Sequence, residues 1–146
     1  MTINEQQDEI IEEFDLYGDW MDKYEAIIQL GKELPLIDEQ YKTDDNLIKG
    51  CQSRVWLHSE YNNGKVFFTA DSDAVITKGL ISMVIKVLSE HTPKEIADSD
   101  LYFVNAIGLN SHLSPTRSNG LLSMLKQMKA YAVAYQVKEL NTQNNG

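Results

Sequence analysis

Apolar residues recur at helical spacing in the first third of the chain. The first stripe consists of Ile10, Ile11 and Phe14. After a break at Gly18, the second stripe consists of Trp20, Tyr24, Ile27 and Ile28. Steps of three and four residues place side chains on one face of a helix. The sequence therefore predicts two amphipathic helices, the second of which ends near Gly31, ahead of Pro35.

The pattern changes to alternation between residues 53 and 71. The apolar positions of the two alternating runs are Val55 and Leu57, then Val66, Phe68 and Ala70. An apolar residue at every second position is typical of a strand with one face on the core. Asn62-Asn63-Gly64 separates the runs and suits the positive φ angles of a tight hairpin turn. We therefore predict a β-hairpin, with residues 45–49 as a candidate third strand.

Several helix starts are marked by capping residues. Residues 2–5 and 92–95 both read Thr-x-x-Glu, the pattern of a capping box, and Asp19 suits an N-cap position. Ser72 or Asp73 is the candidate cap of a helix with little polar face, as expected for a helix buried between layers. The apolar positions of this predicted core helix are Ile76, Leu80, Ile81, Val84, Ile85, Val87 and Leu88.

The last third of the chain completes the predicted fold. Residues 107–113 are predicted to be irregular, and Ser114-Pro115 opens a final helix. Its apolar positions are Leu121, Leu125, Met128, Ala132 and Tyr135. Residues 141–146 have nothing to pack against and are predicted to form a disordered tail. Strands that cluster instead of alternating with helices favour an α+β fold, a small antiparallel sheet flanked by helices, in a single domain over residues 1–140.

Composition and charge narrow the functional classes. A chain of 146 residues has the size of one ordinary domain. Residues 1–45 carry 14 acidic and 3 basic side chains, a net charge of -11 against -9 for the whole chain. This acidity disfavours nucleic-acid binding, and no apolar run has the length of a membrane span. The polar start lacks a secretory signal pattern and the cysteine is unpaired, so we expect a cytoplasmic protein.

Cys51 is the only cysteine. It cannot form an intramolecular disulfide or supply the paired thiolates of a typical structural zinc site. One interpretation is an inert thiol, because free cysteine often packs as a small hydrophobe. The neighbours favour the other interpretation, a nucleophile. Gly50 permits an exposed or strained turn, and Gln52 is polar. Lys49 and Arg54 bring positive charge, which favours a thiolate.

Three histidines are the candidate bases for a cysteine-dependent hydrolase or transferase: His58, His91 and His112. Such an enzyme needs a base beside the thiol, and no sequence spacing links any of the three to Cys51. His112, in the predicted loop, is the base that this alternative would use. Metal-ligand spacings and a phosphate-binding glycine loop are absent from the sequence, so we expect neither a metal nor a cofactor.

Arg117 stands at the start of the final predicted helix. A cation in the first turn opposes the helix dipole, so local helix stability does not explain this arginine. A functional role and a solvent-facing arginine with a packed stem both remain open.

Four segments of the chain resemble the SufE family of cysteine-desulfuration proteins. They are residues 41–44, 46–56, 70–80 and 108–121. The block Gly-Cys-Gln-Ser-x-Val-Trp at residues 50–56 is the most specific of them, and the resemblance covers residues 15–137. It implies a helix-flanked antiparallel sheet related in fold to the IscU-type scaffold proteins.

The resemblance also implies a function. Cys51 would accept persulfide sulfur from a pyridoxal-phosphate-dependent cysteine desulfurase of the SufS or CsdA type, and the protein would stimulate that enzyme as a carrier without a cofactor. The sulfur would pass to iron–sulfur cluster assembly, on a SufBCD-type scaffold or another acceptor. The thiol would be sheltered until the partner moves its loop, and Lys49, Gly50, Gln52 and Arg117 would shape the loop or contact the partner. A non-catalytic adaptor of the desulfurase, with an inert thiol, is a further alternative.

Overall fold

In residues 1–145, which the structure describes, the chain forms seven α-helices and one antiparallel hairpin. The structure is a computed structural model, and it describes the side-chain surroundings of residues 1–142. In chain order the elements are α1 (Ile3–Asp15), α2 (Trp20–Gly31), β1 (Val55–Asn62), β2 (Lys65–Ser72), α3 (Val75–Leu88), α4 (Pro93–Asp98), α5 (Phe103–Ala106), α6 (Leu109–His112) and α7 (Pro115–Asn145). This small antiparallel sheet with flanking helices confirms the predicted α+β class.

The hairpin follows the alternation in the sequence. Strands β1 and β2 pair from Val55 with Ser72 to Asn62 with Lys65. Asn63 and Gly64 form the turn with φ angles of 53° and 79°, the left-handed conformations that a tight hairpin requires. The alternate residues predicted to face the core are all buried.

The predicted third strand is wrong. Residues 44–46 form a 3-10 turn, and Leu47 makes an isolated antiparallel bridge to Trp56. A second turn follows at Lys49-Gly50. Because these two turns leave only Leu47 and Ile48 extended between them, the segment cannot form a ladder along β1.

Helix α3 is the buried core helix that the sequence predicted. Nine of its residues are buried, and α2 packs closely against it. A methyl group at Gly79 would lie 2.0 Å from the carbonyl oxygen of Ile27, so this glycine allows the two backbones to meet. Leu80 and Ile81, which directly follow Gly79, extend the core toward the cleft described below.

The helix starts agree with the capping signals except at α3. Thr2 and Thr92 both form capping boxes, and Asp19 caps α2. The N-cap of α3 is Ala74, without a side-chain cap, so the prediction of Ser72 or Asp73 is wrong. Both side chains are engaged just upstream, because the Ser72 hydroxyl accepts from the N–H of Ala74 and the Asp73 carboxylate from a loop N–H.

Residues 107–113 are more regular than predicted, since they contain the short helix α6, and another short helix, α5, precedes them. Helix α7 begins at Pro115, as predicted, and extends to Asn145. It therefore includes most of the segment predicted as a disordered tail, while Gly146 lies outside the described residues. Disorder of this segment in solution and the domain boundary at residue 140 stay predictions.

Candidate functional site

Cys51 lies on a loop, residues 49–54, whose two ends are fastened. At the entry, the N–H of Ile48 donates to the carbonyl oxygen of Val55 at 2.8 Å. At the exit, the N–H of Arg54 donates to Oδ1 of Asp73 at 3.0 Å. Hydrogen bonds at both ends limit the places that the segment between them can occupy. The β1 and β2 ends therefore set the position of the loop relative to α3.

The middle of the loop packs on helix α7. Gly50 has a φ of 89°, a left-handed conformation that side chains rarely adopt, which turns the chain toward the helix. The half-buried Cys51 follows, and its Sγ donates to the carbonyl oxygen of Gly120 at 3.6 Å. This distance is normal for the weak hydrogen bond of a thiol. The loop therefore holds the thiol against the backbone of α7.

A cleft of about 40 Å³ opens beside the thiol. Its apolar wall consists of Val55, Leu80, Ile81, Leu121 and Met124. Its other lining residues are Cys51, Gln52, Ser53, Thr77, Thr116, Arg117 and Gly120. A water molecule needs roughly 10–15 Å³ measured in this way. The cleft can therefore take a small added group on the thiol, such as one sulfur atom.

The structure brings together most of the residues predicted for the site. Gln52 and Arg117 line the cleft with Cys51, and Gly50 shapes the loop. Lys49 is exposed and does not line the cleft. It lines a separate groove between residues 45–49 and α7, together with Lys126.

The electrostatic setting of the thiol differs from the expectation. Burial raises the pKa of the Cys51 thiol above its ordinary value, because a thiolate loses hydration there. The prediction that Lys49 and Arg54 favour the thiolate is therefore wrong for this resting arrangement. Both cationic residues are exposed, and water screens charges at the surface.

None of the three histidines lines the cleft. His58 stacks on Tyr41, with ring centroids 3.8 Å apart. His91 is buried, and its Nε2 lies 2.8 Å from Oε1 of Gln6. His112 is the last residue of α6, and its ring stacks on the ring of Trp20. No group of three or more His, Cys, Asp or Glu side chains within the described part of the chain could hold a metal ion.

Gly120 is a site residue that the sequence reasoning did not single out. It is buried within α7 and contributes a backbone carbonyl and an open surface to Cys51. A glycine inside a helix costs about 1 kcal/mol relative to alanine, so its presence there was a signal of a packing or functional reason. Thr77 and Met124, which also line the cleft, gave no comparable signal because residues of these types are common in helices.

Comparison with known proteins identifies the family. The profile of the family described as "SufE: Fe-S metabolism associated domain" matches residues 8–132. The chain belongs to the SufE family. The family recognised from the sequence is thereby confirmed, and membership gives the protein a role in iron–sulfur metabolism.

Several SufE-like proteins are similar to this chain over most of its length. One from Rhizobium etli is 40% identical over 130 residues, which are 86% of this chain and 88% of that protein. One from Synechocystis sp. is 36% identical over 128 residues, 88% of this chain and 80% of the relative. SufE-like protein 1 of Arabidopsis thaliana, named chloroplastic/mitochondrial, is 38% identical over 139 residues. That match covers 94% of this chain but only 38% of the longer plant protein.

A solved structure has the same fold. The solution structure of a hypothetical protein from Thermus thermophilus matches with a TM-score of 0.76 and 16% sequence identity. The match covers 90% of this chain and 96% of that one. At this identity the likeness concerns the fold alone. Among the described residues of this SufE-family protein, no helix has both the length and the apolar character of a membrane span.

Proposed function

We propose that Cys51 accepts persulfide sulfur from a pyridoxal-phosphate-dependent cysteine desulfurase of the SufS or CsdA type and delivers it to iron–sulfur cluster assembly. The observation that carries the proposal is a lone loop thiol beside a small cleft that no histidine lines. The family's association with iron–sulfur metabolism agrees with it. The final acceptor is a SufBCD-type scaffold or another protein of the assembly system.

The proposed transfer is a thiol exchange at sulfur. The Cys51 thiolate attacks the terminal sulfur of the persulfide on the desulfurase, and a new sulfur–sulfur bond forms on Cys51. The sulfur–sulfur bond on the partner breaks, and the partner's cysteine leaves as a thiolate. No external oxidant or reductant is needed, because one sulfur atom moves between two thiols. The exchange needs no general base, metal or second cysteine once Cys51 has lost its proton.

The raised pKa of the Cys51 thiol means that the resting protein is a poor nucleophile. We propose that the partner moves the loop and exposes the thiol, with Gly50 as the hinge. Lys49 and Gln52, both exposed, would contact the partner on the two sides of the thiol. Arg117, in the cleft lining, would stabilise the negative charge of a persulfide on Cys51.

The site supports the hydrolase or transferase alternative less well, because His112 does not line the cleft. The adaptor alternative differs in one outcome, since an adaptor would stimulate the desulfurase without its thiol. We place the proposed relay in the cytoplasm, where a reducing environment keeps an unpaired thiol free.

The direct test supplies L-cysteine and a SufS-type desulfurase and follows Cys51 by mass spectrometry. We expect Cys51 to carry one or more additional sulfur atoms that a reductant removes. Alkylation of Cys51 by iodoacetamide should be slow in the isolated protein and faster when the desulfurase is bound.

Two variants make this test specific. Cys51→Ser should abolish the sulfur loading and the stimulation of the desulfurase without changing the far-ultraviolet circular dichroism. Cys51→Ser combined with Ser53→Cys moves the thiol two residues along the same loop and should restore little of either. Sustained stimulation by Cys51→Ser over many turnovers would exclude the relay and favour the adaptor.

A further inference from the structure

Helix α7 has a glycine at the position where the loop thiol lies. Gly120 is buried, and Cys51 Sγ donates to its carbonyl oxygen at 3.6 Å. Alanine is the better helix former at an interior position, so the glycine weakens α7 locally. Packing against Cys51 accounts for it. A methyl group at position 120 would lie 3.1 Å from Sγ, 3.5 Å from Cα and 3.7 Å from Cβ of Cys51.

A second contact lies three residues further along α7. A methyl group at Gly50 would lie 3.0 Å from Oγ of Ser123, so the hinge residue also packs closely on the helix. Residues three apart lie on the same face of a helix. The loop therefore packs on α7 at two adjacent points. A side chain in place of either glycine, Gly120 or Gly50, would push the loop away from the helix.

The hydrogen bond makes the resting position selective for one form of the thiol. A carbonyl oxygen only accepts, so Gly120 can pair with Cys51 while Sγ carries a proton and not when it is a thiolate. Among the described residues that line the cleft beside the thiol, Arg117 has the one charged side chain. An additional sulfur on Cys51 has room in this cleft, since Cys51 is one of its lining residues.

We infer that Gly120 is a positioning residue that holds the Cys51 loop in a closed state with a protonated thiol, and that a side chain at position 120 opens the loop. The inference rests on the proposed relay for its role in sulfur transfer. The position of the loop itself can be measured in the isolated protein. A variant with a permanently open loop would imitate the state that the desulfurase is proposed to produce.

The test is the rate of alkylation of Gly120→Ala by iodoacetamide without any partner. We expect the rate to rise between about 5-fold and 150-fold, the range that corresponds to the usual cost of overpacking by a methylene group. Asn119→Ala is the matched control, because Asn119 is the exposed neighbour on the same helix, and its rate should not change. Gly50→Ala should raise the rate as well, through the contact with Ser123 and its unfavourable φ.

A stability measurement separates positioning from damage to the fold. Alanine at position 120 improves α7 but crowds Sγ, so it should raise the melting temperature in a Cys51→Ala background, where Sγ is absent, and raise it less or lower it in the wild type. Equal shifts in both backgrounds, or an alkylation rate that is unchanged in Gly120→Ala, would overturn the inference. If alkylation accelerates but desulfurase and cysteine never load Cys51, the inference stands and the proposed relay fails.

Discussion

The imidazole ring of His112 stacks on the indole ring of Trp20, with centroids 3.7 Å apart and planes inclined by 16°. The Nδ1 atom of His112 lies 3.0 Å from the carbonyl oxygen of Gly108. The hydroxyl of Tyr24 donates to the backbone carbonyl oxygen of His112 at 2.8 Å. These contacts hold α6 against α2, and they keep the imidazole outside the cleft lining. His112 is therefore part of the local structure and not a base for Cys51.

His112→Ala tests this assignment. Loss of the stacked ring should lower the free energy of unfolding by about 1 kcal/mol, the usual contribution of an aromatic pair. Persulfide loading of Cys51 by the desulfurase should keep its wild-type rate. Chemical denaturation and mass spectrometry measure the two quantities. A large fall in loading with unchanged stability would return His112 to the role of a catalytic base.

The sequence predicted the fold well where local patterns and packing agree. The alternation predicted both strands, and Asn63-Gly64 predicted the turn between them. The two Thr-x-x-Glu segments predicted two helix starts. It failed at residues 45–49, where a turn on each side of Leu47 and Ile48 prevents a strand. A turn of this kind depends on tertiary contacts of the loop, which periodicity does not report.

The site was predictable only in its residues and not in its electrostatics. The motif indicated Cys51, Gly50 and Arg117, and the structure brings them together around one loop and cleft. Counting nearby cations in sequence gave the wrong direction for the pKa of Cys51, because burial against α7 outweighs exposed charges. The contact between Cys51 and Gly120 joins residues 69 positions apart, so no local pattern contains it.

Arg117 is the charged residue of the cleft lining, and its removal should affect transfer more than stability. We expect Arg117→Ala to slow persulfide loading of Cys51 by about tenfold or more, which corresponds to ~1.4 kcal/mol of transition-state stabilisation. The melting temperature should change little, because a cation in the first helical turn opposes the helix dipole. Single-turnover transfer kinetics and thermal unfolding give the comparison.

Two further variants define what Arg117 contributes. Arg117→Lys keeps the charge but loses the planar array of donors, so its rate should lie between those of the wild type and Arg117→Ala. Lys138→Ala removes an exposed cation from the same helix and should leave the rate unchanged. Wild-type transfer by Arg117→Ala would make Arg117 a surface residue with a packed stem.

Asp71 connects three parts of the fold near the loop. Its carboxylate lies 2.8 Å from Nζ of Lys42 and 3.3 Å from Nζ of Lys78. Burial would raise the pKa of Asp71, but hydrogen bonds from Lys42, the N–H of Ser72 and Lys78 outweigh it and lower the pKa. Asp71→Asn should therefore reduce the free energy of unfolding at neutral pH by about 1.5–3 kcal/mol, the range for hydrogen bonds to a charged group.

The effect of Asp71→Asn should depend on pH. A carboxylate with a lowered pKa stabilises the folded state fully above its unfolded pKa, and this contribution disappears as pH falls through the folded value. The difference between variant and wild type should thus shrink below about pH 4. Asp98→Asn is the control, because the Lys94–Asp98 pair is exposed and screened by water and should contribute little to stability. Equal effects of both variants would contradict the prediction.

The alkaline behaviour of Cys51 tests the raised pKa of its thiol. A group whose pKa is raised on folding stabilises the protein fully below its unfolded pKa, and the contribution is lost as pH rises through the folded value. The wild type should therefore lose stability relative to Cys51→Ser as pH rises through this alkaline range.

The alkylation rate of Cys51 should also reach half its maximum above about pH 8.5, the ordinary pKa of a free thiol. Gly120→Ala should move this midpoint down toward the ordinary value, because an open loop hydrates the thiolate. A midpoint below that of free cysteine in the wild type would mean that Lys49 and Arg54 outweigh burial after all.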